Sequence, residues 1–241
     1  MIQPAGSFDS EVQGPARPDR REQFFEVVVF LLLILPAILL TPFTSMEQTA
    51  SFKLLATATI LRDVALTSLV AFFLWRNREA YAHVGWTSRG LWKEVALGCV
   101  LFVPAYLGAG LVALLARTIG LDGPRRPPAF MLPHSADEIA MAVLLVIVVA
   151  VAEETIFRGY LLLRFRTVLG SLPAAVVLST VIFSVGHSYQ GQAGVVTVGF
   201  LGLAFCLVYI WRRSLVAPGV MHFLQDFINI VIVSRFLDGR L

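Results

Sequence analysis

Seven apolar runs follow one another along this chain, and nothing else in the sequence constrains its fold as strongly. They read Phe24–Pro42, Leu54–Trp75, Val95–Ala116, Ile139–Phe157, Pro173–His187, Val195–Trp211 and Leu215–Val233. A helix needs roughly 20 residues to cross hydrocarbon, with a range of about 17–25, and most of the runs have that length. Composition agrees: 57% of the 241 residues are hydrophobic and 15% are charged, against about 25% charged in soluble domains. The expected fold is an all-α, polytopic membrane bundle of about seven to eight transmembrane helices. Residues 1–22 are polar, with Pro4, Pro15 and Pro18, and read as a disordered cytoplasmic tail. The run that follows is too long for a cleaved signal peptide, so residues 23–241 are read as the transmembrane domain.

The net charge of +3 does not point to nucleic acid. The basic residues lie mostly between apolar runs, as topology signals do, so the expected surroundings are membrane lipid. With the N-terminus inside, the inner segments hold Arg17, Arg20, Arg21, Arg76, Arg78, Arg89, Lys93, Arg158, Arg164, Arg166, Arg212 and Arg213. The outer ones hold Lys53, Arg117, Arg125, Arg126, Arg235 and Arg240. Twelve against six favours a cytoplasmic N-terminus in the cell membrane. Cys99 and Cys206 fall inside apolar runs and read as small buried hydrophobes.

An ionisable side chain at the centre of a membrane helix costs roughly 2.5–3.5 kcal/mol, so each one there needs a reason. Fourteen uncharged residues, Ile139 to Ala152, end in Glu153-Glu154. Glu154 and Arg158 stand at i and i+4, on one helix face, with the acid first. Glu153 points about 100° away and is free to act as a general base. Phe183 and His187 form a second i, i+4 pair at the end of a run. His222 and Asp226 form a third, inside the last run, where the carboxylate can fix the imidazole tautomer. Arg62-Asp63 in the second run reads as structural, and His83 and His134 as solvated loop residues.

Gathered in one cavity, Glu153, Glu154, His187, His222 and Asp226 suit water activation, with a Glu taking the proton and His donors stabilising an oxyanion. Glu153, His187 and His222 are also a donor set of the kind that holds zinc. The His-Glu-x-x-His helix motif is absent, so no cofactor is assigned and zinc is the one metal left open.

On these residues the sequence resembles the CPBP group of intramembrane endopeptidases, which includes CAAX prenyl proteases and bacteriocin-processing or self-immunity proteins. The family's Glu-Glu-x-x-x-Arg motif matches Glu153, Glu154 and Arg158. Its Phe-x-x-x-His motif matches Phe183 and His187, and its His-x-x-x-Asn/Asp motif matches His222 and Asp226. The resemblance covers roughly Ile139 to Val233, the expected catalytic core.

It implies that Glu153 activates the attacking water and that His187 assists proton transfer or positions that water. It implies that His222 and Asp226 form the oxyanion side, and that Arg158 and Phe183 support. Glu154 would support or share the catalytic role. An ionised Asp cannot donate a hydrogen bond, which favours an orienting role for Asp226 toward His222. The implied substrate is a membrane-associated peptide, with prenylated CAAX ends one form, cleaved by a glutamic or metal-dependent mechanism. Two other classes fit the same residues: a non-enzymatic immunity or scaffold protein, and a proton-coupled transporter.

The span boundaries carry one conflict. They put Glu153 at the inner end of the fourth run and His187 at the outer end of the fifth. The two meet only if a helix is longer, tilted or broken, and a fourth helix continuing past Arg158 through Leu161-Leu162-Leu163 would bring Glu153 to mid-membrane.

Overall fold

A computed structural model describes residues 19–40, 51–123, 131–233 and 235 of the chain. Residues 1–18 of the expected tail and part of the Pro-rich loop after Gly120 lie outside them, while Arg20, Arg21 and Glu22, also read as tail, form the first turn of a helix. Among the described residues all regular structure is helical. The helices are α1 (Arg20–Leu40), α2 (Phe52–Arg76), α3 (Leu91–Thr118), α4 (Ala136–Leu169), α5 (Leu172–Val185), α6 (Gly191–Arg212) and α7 (Val216–Ile232). Local chemistry sets their ends. The hydroxyls of Ser51, Ser135 and Ser171 accept from the backbone N–H groups of Leu54, Glu138 and Ala174, capping α2, α4 and α5. Gly170, at φ +67°, turns the chain out of α4 in the left-handed region that glycine occupies without penalty.

The bundle is inside-out relative to a soluble protein. Leu107, Leu111, Leu144, Val177 and Leu207 are exposed, while Asp63, Glu154, Arg158, Arg164 and His222 are buried. Large apolar side chains outside and ionisable ones inside are what a hydrocarbon surrounding requires. By length and composition α2, α3, α4 and the stretch Ser188–Arg212 are long enough to cross a membrane. Among the described residues these four are fewer than the expected seven to eight, and α5, with only 14 residues, is too short to be counted with them. α7 starts part-way into the bundle, because Leu215 donates its backbone N–H to the Gly85 carbonyl at 3.1 Å.

The fourth span needs correction. Instead of ending at Phe157, α4 runs unbroken to Leu169. Arg158 and Arg164 are therefore helical residues, 2% and 1% exposed, and not loop charges. Without them the orientation vote falls from twelve to ten against six. Arg164 is instead the centre of a buried network. It donates from both terminal nitrogens to Glu79 at 2.9 Å and from Nε to Glu26 at 3.2 Å. Arg76 reaches the other Glu26 oxygen at 2.6 Å. This network ties α1, α2 and α4 at one end of the bundle.

The long α4 and short α5 settle the depth conflict. Glu153 lies sixteen residues before Leu169, about 24 Å along the axis at a rise of about 1.5 Å per residue. His187 lies fifteen residues after Leu172, about 22 Å on the way back. Both stand at nearly one level. His222 reaches it too. A side chain at Gly159 would meet Leu215 and Val84, so Leu215 sits level with Gly159, and the climb from each is six or seven residues, about 10 Å.

Candidate active site

Glu153 is the last residue of the α-helical part of α4, and Glu154 opens a π-helical stretch that lasts to Leu161. Every residue of that stretch is buried. The wider turn breaks the regular i→i−4 ladder where the motif begins, a placement π-segments often share with functional sites. A second π-stretch, Phe227–Ile232, begins directly after Asp226. Both acidic motifs therefore sit at an α-to-π junction.

Glu154 is the hub. Its Oε1 accepts from Arg158 Nη1 at 2.9 Å and lies 2.8 Å from His222 Nδ1. The imidazole Nδ1–H donates to this ion-paired carboxylate, which fixes the ring and turns Nε2 the other way. The Arg158 guanidinium is held on three further sides. Its Cζ lies 4.1 Å above the Phe183 ring and 5.4 Å from the Phe205 ring, and Nη2 donates to the Gly202 carbonyl at 3.3 Å. A desolvated cation over an aromatic face is worth about 2 kcal/mol. The Phe of the second motif thus serves the Arg of the first.

On the far side of the ring, His222 Nε2 lies 3.7 Å from Glu153 Oε2 and 3.5 Å from Asp226 Oδ2. Glu153 keeps 14% of its side chain exposed, and its Oε2 has no hydrogen-bond partner among the described residues. The expected division of labour between the acids therefore shifts. Glu154, at hydrogen-bonding distance, orients His222, while Asp226 shares the Nε2 side with Glu153.

His187 is less closely joined. Its Nδ1 lies 2.8 Å from the Phe183 carbonyl, which can only accept, so Nδ1 carries the proton and Nε2 is left for an acceptor role. Its ring contacts Phe183 at 4.8 Å, and Phe183 meets His222 edge-on at 6.1 Å. Among the described residues no hydrogen bond or ion pair joins His187 to Glu153. Of the three expected zinc donors, Glu153 Oε2 and His222 Nε2 lie 3.7 Å apart, while no hydrogen bond or ion pair among the described residues joins His187 to either. No three His, Cys, Asp or Glu side chains among the described residues are placed to hold one ion.

Three participants escaped the sequence reading. Asp63 of α2 is 2% exposed and lies within electrostatic range of Glu153 and His222. One of its oxygens accepts from Arg62 Nε at 2.9 Å, and the other has no hydrogen-bond partner among the described residues. Its position inside an apolar run was the available signal. Phe205 of α6 packs against the His222 ring at 5.5 Å.

Gly202, one turn earlier, makes room for the site. A Cβ there would stand 2.9 Å from Phe183 Cδ1 and 3.4 Å from Arg158 Nη2. Gly202→Ala is expected to cost about 1–3 kcal/mol through overpacking and to lower turnover by displacing Phe183. Thermal unfolding and peptide cleavage, measured on one preparation, check both effects.

Residues 135–228 match the family described as Rce1-like, type II CAAX prenyl endopeptidase. No curated protein and no solved structure matches the chain. Every motif residue at this site, from Glu153 to Asp226, lies within the matched stretch, so the similarity of this multi-pass membrane protein to the Rce1-like family is carried by the residues that form the site.

Proposed function

We propose that the protein hydrolyses one peptide bond near the end of a prenylated, membrane-associated substrate, using a water that Glu153 deprotonates. One observation carries the reading: Glu153 Oε2, buried and with no hydrogen-bond partner among the described residues, stands 3.7 Å from His222 Nε2. Two atoms at that separation can both reach a single water at about 2.8 Å. The water oxygen attacks the carbonyl carbon, and its proton passes to Glu153. His222, as an imidazolium with Nδ1–H on Glu154 and Asp226 beside Nε2, directs its Nε2–H at the oxyanion as it forms. Glu153 then returns the proton to the departing amine as the C–N bond breaks. His187 accepts from the water or the substrate through Nε2. One N–H donor aimed at the oxyanion and two acceptors aimed at the protons of the water, inside a low-dielectric bundle, account for how peptide hydrolysis proceeds among lipids.

The topology supported by the charge pattern puts the ends of α2, α4 and α6, with Arg76, Arg166 and Arg212, on the cytoplasmic side. A prenylated peptide would approach from there, its lipid tail lying among the bundle's exposed leucines.

The test is hydrolysis of a farnesylated CAAX-ended peptide by protein reconstituted in vesicles, run in ¹⁸O-labelled water. The expected outcome is one cut, with one labelled oxygen in the new carboxyl group after a single turnover. Equal cleavage of the unprenylated peptide would remove the prenyl requirement. Absence of any cleavage by folded protein would end the hydrolytic reading.

A further inference from the structure

We propose that a cavity at the end of the bundle where α2, α4 and α6 terminate is a binding site for the phosphate-bearing headgroup of an anionic phospholipid. The cavity has a volume of about 540 Å³. Buried Leu162 and half-buried Leu163 and Ile210 line it, while Arg78, Arg166 and Arg213 stand exposed around it. It is separate from Glu153 and the motif residues, and the inference does not rest on the proposed hydrolysis.

The charge balance leaves the site cationic. Glu26 and Glu79 carry the negative charge here, and Arg76 and Arg164 are ion-paired to them. Two acids against two bases cancel. Arg78, Arg166 and Arg213 remain, three guanidinium groups with no carboxylate partner among the described residues. His83 also lines the cavity, and Glu79 is held on both oxygens by Arg164. An arginine fork binds phosphate oxygens in pairs.

Backbone strain marks two of the three. Arg78 and Arg213 have φ of +54° and +55°, and they are the only non-glycine residues with positive φ among those described. Both follow helix C-termini, where glycine is the usual occupant because it bears no steric penalty. Arginine near a span end satisfies topology, and near a helix C-terminus it meets the dipole favourably. Neither demand requires the left-handed position. Strained residues concentrate where a ligand uses them, and both of these line one cavity.

The position of the cavity selects the lipid over a free anion. Three of the chain's four tryptophans, Trp75, Trp92 and Trp211, lie at this end of the bundle, at or near the termini of α2, α3 and α6, and all three are exposed, whereas Trp86 reaches into the bundle and donates from Nε1 to Thr155 at 3.0 Å. Tryptophan rings settle at the headgroup level. The site therefore stands where phospholipid phosphates are concentrated, and its leucines suit the start of an acyl chain.

The experiment measures association of spin-labelled phosphatidylglycerol and phosphatidylcholine with the full-length protein in phosphatidylcholine bilayers. Wild type is expected to prefer phosphatidylglycerol. Arg78→Gly combined with Arg213→Gly should lower that preference about thirtyfold, at the scale of roughly 1 kcal/mol per cation near a lipid surface. Glycine accepts the positive φ, so the variant should fold with an unchanged or higher Tm. Arg166→Gln, on an ordinary helical backbone, should lower the preference severalfold and serves as the second reading. Wild-type preference retained in both variants would overturn the proposal, as would equal binding of the two lipids. Displacement of phosphatidylglycerol by millimolar inorganic phosphate would make a free anion the ligand and also overturn it.

Discussion

Glu153→Gln should lower the turnover number by about 10²–10⁴, the range general-base removal produces, while leaving the protein folded. The side chain is the one acid at the site whose loss leaves little else disturbed. Its Oε2 has no hydrogen-bond partner among the described residues, and His222 Nε2 stands 3.7 Å from it. Gln keeps the volume and an oxygen but cannot take a proton from water. KM should move little, because the change falls on the transition state more than on substrate binding. Tm should stay within a few degrees, since a near-isosteric change that breaks no hydrogen bond falls in the range of about ±0.5 kcal/mol. The measurement is kcat and KM for the reconstituted protein with a prenylated peptide, with thermal unfolding on the same sample. Full activity in Glu153→Gln would remove Glu153 from the mechanism. Lost activity with a large fall in Tm would show that its role is structural.

The parallel variant Glu154→Gln separates the two neighbours. Glu154 is 1% exposed and binds both Arg158 and His222. Its loss should damage stability and activity together. Two adjacent glutamates with opposite profiles would be hard to explain unless one is the base and the other the frame.

The sequence exposed this site because lipid makes polar residues conspicuous. His222 and Asp226 stand out in a run of leucines and valines, and the i, i+4 spacing of Glu154 and Arg158 predicted the contact that the structure contains at 2.9 Å. What stayed hidden depends on three dimensions. Hydropathy reports where a run loses its apolar character, so it ended the fourth span at Phe157. It could not register that Arg164 is neutralised by Glu79 and Glu26, partners 85 and 138 residues away in sequence, and so remains inside the helix. The π-stretch at Glu154–Leu161 leaves no periodicity to read, since its wider turn matters only where the neighbouring contacts are known. Gly202 and Phe205 sit on a helix with no charge near them, so nothing marked that face as a wall of the site. Asp63 was visible as a charge but not as a neighbour of Glu153.

Arg158→Met should destabilise the protein by about 3–5 kcal/mol, the effect of leaving one partner of a buried ion pair alone, and should abolish activity as well. The guanidinium is 2% exposed and answers the charge of Glu154 in a place that water does not reach. Met fills much of the same volume between Phe183 and Phe205, so the loss is mainly electrostatic and not a cavity effect. An uncompensated Glu154 would either draw a proton or pull on His222, and in both cases the ring that faces Glu153 loses its fixed orientation. The double variant Glu154→Gln with Arg158→Met decides between charge and packing. If the single variant suffers from a stranded carboxylate, removing that carboxylate should restore most of the stability, and a coupling energy on the order of 0.5–3 kcal/mol should appear in the cycle. Activity should stay lost, because the neutral amide that Glu154→Gln introduces cannot hold His222 as an ionised carboxylate does. Thermal unfolding of the four proteins, paired with peptide cleavage, gives both numbers. Additive losses in the cycle would mean that Arg158 acts through Phe183 and Gly202 alone, and the electrostatic link from Arg158 through Glu154 to His222 would be withdrawn.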